Sequence, residues 1–231
     1  MKVISFVSFK GGAGKTTALM AIASVLAQRG DRLGLFEADE NKPLERWRTN
    51  ARAVGTWDEA ACGLYPCRDE EAFEVSLAAA EEDGRDYVLI DTAGGGSDLN
   101  SALIVNSDIV ILPTTLSSID LLATVDTYQY ISKALARRIS HKIDARFLLT
   151  RFPQSRLKTA EQTNLLAVGP MPQFDNRLTE RGAYADLVAT GLLGRYHDRL
   201  SQAPAHRLLA GHVAVAMSEA RDLTSEIVGS L

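Results

Sequence analysis

Cysteine is scarce in these 231 residues. Cys62 and Cys67 are too few and too oddly spaced for a disulfide framework or a zinc site, so reduced, unreactive thiols are expected. Long apolar runs are missing as well, which excludes a membrane-spanning helix. The first motif begins at Phe9, leaving no space for a signal peptide, and a cytoplasmic protein is expected. No internal repeat, low-complexity tract or interdomain linker interrupts the chain, so a single domain over 1–231 is expected, with a length that suits a substantial core. Strong net charge is also lacking, at -4, but the balance is uneven. Residues 1–130 hold 11 Lys and Arg against 20 Asp and Glu, whereas residues 131–231 hold 14 against 9, giving -9 and +5. The basic half can present a phosphate-binding face, or it can be ordinary solvated surface.

What is present is a regular alternation of strand and helix. Val3 to Ser8 is apolar on both faces, as the centre of a parallel sheet requires, and Lys15 to Arg29 carries Leu19, Ile22, Ala23 and Leu26 at helical spacing. Further strands are predicted at Arg32–Ala38, Gly63–Pro66 (a short edge), Tyr87–Asp91, Ile109–Pro113 and Arg146–Arg151. Helices are predicted at Leu44–Arg52, Glu70–Glu82, Asp98–Asn106 and Ser117–Arg138. Beyond Arg151 the pattern predicts helices near Leu157–Ala167, Glu180–Thr190 and His206–Val228, a short strand at Met171–Phe174, and a surface connection over Gly191–Pro204. Alternation of this kind predicts an α/β fold with a doubly wound, mostly parallel sheet, helices on both faces, and ligands at the C-terminal strand ends.

The run Phe9-Lys10-Gly11-Gly12-Ala13-Gly14-Lys15-Thr16-Thr17 lies between the first strand and the first helix. Glycines let successive N–H groups curl around phosphates, the helix N-terminus favours negative charge, Lys15 can reach the β and γ phosphates, and Thr16 can ligate magnesium. This is a P-loop for a nucleoside triphosphate. Val88-Leu89-Ile90-Asp91 is an apolar strand ending in a carboxylate suited to hold the same magnesium, and Thr92-Ala93-Gly94-Gly95-Gly96 follows as a loop near the γ-phosphate. The strand ending at Phe36 delivers Glu37-Ala38-Asp39-Glu40-Asn41 to the same edge, where a carboxylate can orient water; Asp39 does this or merely caps the next helix.

The K-G-G-x-G-K-T-T pattern, with Lys10 as a second lysine, resembles the deviant Walker A loop of the ParA/MinD family of dimerising ATPases. The resemblance implies ATP and magnesium as ligands, residues 10–17 as the nucleotide loop, and Asp39, aligned with the second Asp of the family's D-x-D-P-Q segment, as the group that positions the attacking water. It also implies a magnesium contact of Asp39 through water. Glu37 and Glu40 depart from that segment. By the same resemblance Lys10 reaches across an ATP-dependent homodimer to the partner's phosphates. Leu112-Pro113-Thr114, Leu148-Leu149-Thr150-Arg151 and Arg177-Leu178-Thr179-Glu180 resemble later family segments, which carries DNA contact over to Arg156 and Arg177, with Lys158 and Arg181 as neighbours. Each of these four residues is otherwise an exposed salt-bridge partner.

A narrower resemblance, to the ParA-like ATPases of agrobacterial virulence C operons, rests on residues 9–20 and on Ala38-Asp39-Glu40-Asn41 followed by Pro43-Leu44. It implies binding to DNA beside a T-DNA border, help for the relaxase that nicks it, and recruitment of the complex to a secretion channel at the cell pole. The rival is a plasmid or chromosome partition ATPase working with partition proteins. An ATP-dependent synthetase on the same scaffold is an answer of another class, but no second substrate motif is evident. A MinD-like membrane organiser is disfavoured because Arg221–Val228 has mixed charge, and an iron-protein reading because two nearby cysteines cannot supply separated cluster ligands.

Overall fold

The computed structural model describes residues 1–137 and 143–231. Strands β1 (Lys2–Phe6), β2 (Leu33–Glu37), β3 (Cys62–Pro66), β4 (Tyr87–Asp91), β5 (Ile109–Thr114) and β6 (Ala145–Leu149) form one sheet in the order β3-β2-β4-β1-β5-β6. Every one of these pairings is parallel. Successive side chains of a strand face opposite sides. In β1, Ile4 and Phe6 therefore join one apolar cluster while Val3 enters another. Both faces must then be covered, and helices cover both.

On one face lie α1 (Lys15–Arg29), α2 (Pro43–Val54), α9 (Leu193–Ser201) and α10 (Arg207–Gly229). On the other lie α3 (Glu70–Glu82) and α4 (Asp98–Val105) towards one end, and α5 (Ser118–Gln129) with the π-helical turn Tyr130–Leu135 towards the other. The remaining helices are α6 (Thr159–Val168), α7 (Gly182–Ala185) and α8 (Leu187–Thr190). The apolar spacing in α1 suggests a one-sided helix, yet every residue from Ala18 to Leu26 is buried. The sheet covers one side of α1 and the C-terminal helices cover the other.

Register fixes where the loops emerge. Phe6, Glu37 and Asp91 are level across β1, β4 and β2, so the segments that follow them leave the same sheet edge. Among the described residues no helix is long and apolar enough to cross a membrane.

Four expectations need correction. The surface connection expected over Gly191–Pro204 contains α9, with Leu192, Leu193 and Leu200 buried. The helix expected over Glu180–Thr190 divides into α7 and α8 at Asp186, which lets both Tyr184 and Leu187 reach the core. The strand expected at Met171–Phe174 is a single parallel bridge, Phe147 to Gln173, along the edge of β6. The helix expected from Ser117 ends at Gln129 and passes into the π turn; Arg138 lies outside the described residues.

Gly191 makes the approach of α9 feasible. Its φ is 82°, and a Cβ there would sit 2.1 Å from Thr56 Oγ1 and 2.7 Å from Ala51 Cβ. The Leu193 N–H then donates to Ser24 Oγ on α1 at 3.1 Å. Leu193→Ala is expected to lower unfolding stability by about 2–5 kcal/mol, the cost of an aliphatic cavity, in a urea titration. A midpoint unchanged at constant slope would return this segment to the surface.

Candidate functional site

Gly14 ends the phosphate loop at φ 93°, a left-handed conformation that also serves as the N-cap of α1. A Cβ on Gly14 would meet Thr150 Oγ1 at 3.1 Å, so the conformation calls for glycine and the space beside it is tight. Thr150, just past β6, donates through Oγ1 to the Ala13 carbonyl at 2.8 Å. A threonine read only as part of a core strand thus fastens the loop from beneath. Gly11 and Gly12 have open space around them, and Lys15, Thr16 and Thr17 open α1.

Thr16 Oγ1 donates to Asp91 Oδ2 at 2.7 Å. Asp91 is fully buried, and its Oδ1 has no hydrogen-bond partner among the described residues. Burial pushes the carboxyl up to about 7, against the lowering effects of the Thr16 hydroxyl and the buried Lys15 ammonium; Asp39 and Glu37 add negative potential. An orphaned, buried carboxylate oxygen beside a hydroxyl is a hard-oxygen site that fits magnesium. Among the described residues no three carboxylate, imidazole or thiol groups cluster as a metal cage. A magnesium ion here would accordingly share its shell with phosphate oxygens and water.

Glu37, where the ParA/MinD segment has Asp, caps a helix with its carboxylate. Its two oxygens accept from the N–H groups of Leu44 at 2.6 Å and Glu45 at 3.0 Å. These are orphan donors at the start of α2, whose N-cap Lys42 is left-handed and offers no side-chain cap. Burial still raises the Glu37 carboxyl above its ordinary range despite those two bonds. Asp39 lies further out and accepts through Oδ1 from the Asn41 backbone and side-chain amides, both at 2.9 Å. Asp39, Glu40, Arg68, Gly94 and Ser97 line a groove of about 990 Å³ along this edge.

The Lys10 ammonium pairs with Asp120 on α5 of its own chain, and its side chain remains 40 % exposed. Burial favours a raised Asp120 carboxyl, but Lys10 and the Thr115 hydroxyl outweigh it and hold the carboxyl low. On the far side of the phosphate loop, Thr92–Gly96 is tied down by Asn100 of α4, a residue sequence reasoning missed.

The basic candidates fall into two segments that the structure brings together. A parallel bridge joins Phe152 to Thr179, beside the exposed Arg156 and Lys158 on one segment and Arg177 on the other. The Arg177 guanidinium stacks 3.7 Å from the Phe152 ring centre and stays exposed. Arg181 differs, because its Nε donates to Glu219 of α10 at 2.9 Å and its side chain is three-quarters covered. Glu219 and Glu226, both on α10, also accept from the backbone of Thr179, Asp175 and Asn176, which fixes the loop that carries Arg177.

Thr150→Val keeps the shape at the end of β6 and removes the hydroxyl. It is expected to weaken binding of a fluorescent ATP analogue about three- to tenfold, as loss of roughly one hydrogen bond implies, while thermal stability changes little. Unchanged affinity would show that the loop does not need this fastening.

Comparison with known proteins agrees with this geometry. The VirC1 protein family model matches residues 1–231. Protein virC1 of Rhizobium rhizogenes is 37% identical over 229 residues, covering 99% of this chain and 98% of that protein. Among solved structures, an ATP complex of McdA from Cyanothece superposes with a TM-score of 0.68 at 16% identity, covering 96% of this chain and 97% of that one. The pNOB8 ParA bound to nonspecific DNA gives a TM-score of 0.61 at 16% identity, covering 99% and 98%. The structural likeness speaks for a ParA/MinD-type fold. The family-model match along the full length and the 37% identity to a virC1 protein show that the chain belongs to the VirC1 protein family.

Proposed function

We propose that this chain is an ATP-dependent, dimerising, DNA-binding ATPase that promotes T-DNA border processing and delivery of the relaxase–DNA complex to a secretion system at the cell pole. The observation that carries the reading is the Lys15–Thr16–Asp91 cluster at the phosphate loop, in a chain of the VirC1 family throughout. Residues 1–231 act as one domain, which is supported by the packing of α10 against α1.

Phosphoryl transfer to water needs positioning and charge neutralisation more than covalent chemistry. Backbone N–H groups of residues 10–17 cradle the phosphates, and Lys15 binds the β and γ oxygens. Thr16 and Asp91 would hold magnesium, and Asp39 would contact it through water. When bound, that ion neutralises charge on the phosphates. Asp39, on the groove beside the Thr92–Gly96 loop, orients the attacking water. Turnover is slow and stimulated by a partner. Lys10 exchanges its contact with Asp120 for the phosphates of a second copy, so that ATP becomes part of the dimer interface. Lys15→Ala is expected to abolish ATP binding. Asp39→Ala is expected to retain binding while hydrolysis falls about a hundredfold, the scale of losing one group that acts in the transition state. Normal turnover in the Asp39 variant would assign water positioning to another residue.

DNA binding is assigned to Arg156 and Arg177, with Lys158 beside them. Arg181 contributes by supporting the loop, since Glu219 holds it. Partition is the second reading, supported by the likeness to a ParA bound to nonspecific DNA. The decisive experiment measures binding to border-flanking and unrelated DNA across a salt series with ATP, ADP or no nucleotide. The transfer reading expects preference for border DNA in the ATP state, whereas equal affinity for both sequences favours partition. Lys10→Ala is expected to bind like the ADP form, and Arg156→Ala and Arg177→Ala to flatten the salt slope by about one unit each. Equal affinity in all three nucleotide states would remove the dimer switch.

A further inference from the structure

The loop Thr92–Gly96 follows a buried strand but has three successive glycines and hence almost no side chains with which to hold a shape. Thr92 is secured through Oγ1 to the Phe6 carbonyl at 2.7 Å, and the Gly95 N–H donates to the Phe9 carbonyl at 3.1 Å. A further hold is Asn100. Its Nδ2 donates to the Ala93 carbonyl at 3.1 Å and to the Gly95 carbonyl at 2.7 Å. Two carbonyl partners require the amide nitrogen there, so the orientation of the side chain is fixed by chemistry.

Asn100 is 1% exposed, and its Oδ1 is buried without a hydrogen-bond partner among the described residues. A residue kept only to satisfy α4 has no reason to carry a polar group so incompletely paired. The two bonds it makes have a definite geometric result. In a trans peptide the carbonyl of one residue and the N–H of the next point in opposite directions, and the described residues include no cis peptides. Drawing the Ala93 and Gly95 carbonyls towards Asn100 therefore turns the Gly94 and Gly96 N–H groups away from it. Among the described residues neither N–H has a hydrogen-bond acceptor. Gly94 lies on the same groove as Asp39.

We propose that Asn100 is a positioning residue for hydrolysis: its carboxamide sets the Ala93–Gly94 and Gly95–Gly96 peptide planes so that the two glycine N–H groups are presented to the γ-phosphate. The inference rests on the ATPase reading above. It differs from a capping role, which Ser97 already fills by accepting from the Asn100 N–H at 3.0 Å. Fixed donors of this kind act where charge develops, at no cost of reorganisation during the reaction.

Asn100→Ala leaves the helix intact and frees both carbonyls; Asn100→Asp keeps the shape but sets carboxylate against carbonyl. For both, the expected kcat of ATP hydrolysis with DNA falls about tenfold or more, with KM for ATP within about threefold of the parent, the signature of an interaction made in the transition state. Hydrogen exchange supplies the second readout. In the parent, a non-hydrolysable ATP analogue protects amides 93–96 more than ADP does, and both variants lose that difference while β4 stays protected. The same difference in parent and variants, or no difference in the parent, overturns the proposal. Failure of the parent to bind the analogue at all overturns the nucleotide reading instead. Exchange without nucleotide then still decides whether Asn100 holds the loop, because equal rates in parent and Asn100→Ala reject that hold.

Discussion

The site is organised around a carboxylate that folding alone leaves incompletely satisfied. Asp91 ends the strand between β1 and β2, and the register places it level with Phe6 and Glu37 at the edge from which three loops depart. Burial there opposes ionisation, and one Thr16 hydroxyl with the Lys15 ammonium returns only part of what water would supply. A cation at the unpartnered Oδ1 would complete the set and restore the charged form. A ligand there would satisfy a group that the protein's own interior leaves incompletely paired. A better-paired Asp91 would stabilise the empty fold and weaken that preference.

Around this carboxylate, glycine makes the loops compliant and polar side chains from elsewhere make them definite. Thr150 ties the phosphate loop to the end of β6, Asn100 ties Thr92–Gly96 to α4, and Glu37 ties the segment after β2 to the start of α2. Each replaces backbone pairing that a glycine-rich or irregular segment cannot provide for itself. Glu37 illustrates the economy of the arrangement. Its longer side chain spans to two N–H groups on the first turn of α2, which Lys42 leaves uncapped, while the less buried Asp39 and Glu40 line the same groove.

Much of this was legible because it depends on local pattern. Buried strands read as continuous apolar runs, Gly30 stopped α1, and the phosphate loop announced itself by glycine spacing between strand and helix. Asp91 was visible as a charge at the end of Val88-Leu89-Ile90. The role of Thr150 was not, because its acceptor is 137 residues away in the chain and a threonine in a strand has an ordinary packing explanation. Nor was α9: between Leu193 and Leu200 it carries Arg195, Tyr196, His197, Asp198 and Arg199, a composition that reads as surface. Its burial is decided by tertiary neighbours, the hydroxyl of Ser24 and the space left by Gly191. The break at Asp186 is similar, since it seats both Tyr184 and Leu187 in the core, a tertiary outcome that local spacing does not show. Asn100 sat within a predicted helix, where sequence gives no sign of which carbonyls a side chain will meet.

The end of β6 lies between the phosphate loop and the two basic segments. Thr150 holds Ala13 of the phosphate loop, Arg151 turns the backbone through a left-handed φ of 46°, and Phe152 then supports the exposed Arg177. A left-handed arginine is uncommon and costs conformational energy, so this turn persists because contacts on both sides hold it. On one side is the Thr150 hydroxyl; on the other, the Phe152 N–H donates to the Leu178 carbonyl and its own carbonyl accepts from Glu180. Glu219 and Glu226 anchor the second basic segment to α10 in turn. The basic face is consequently built on the frame that holds the phosphate loop, rather than on an independent arm. Ala13 and the loop bearing Arg177 are thereby connected through three consecutive residues, Thr150, Arg151 and Phe152.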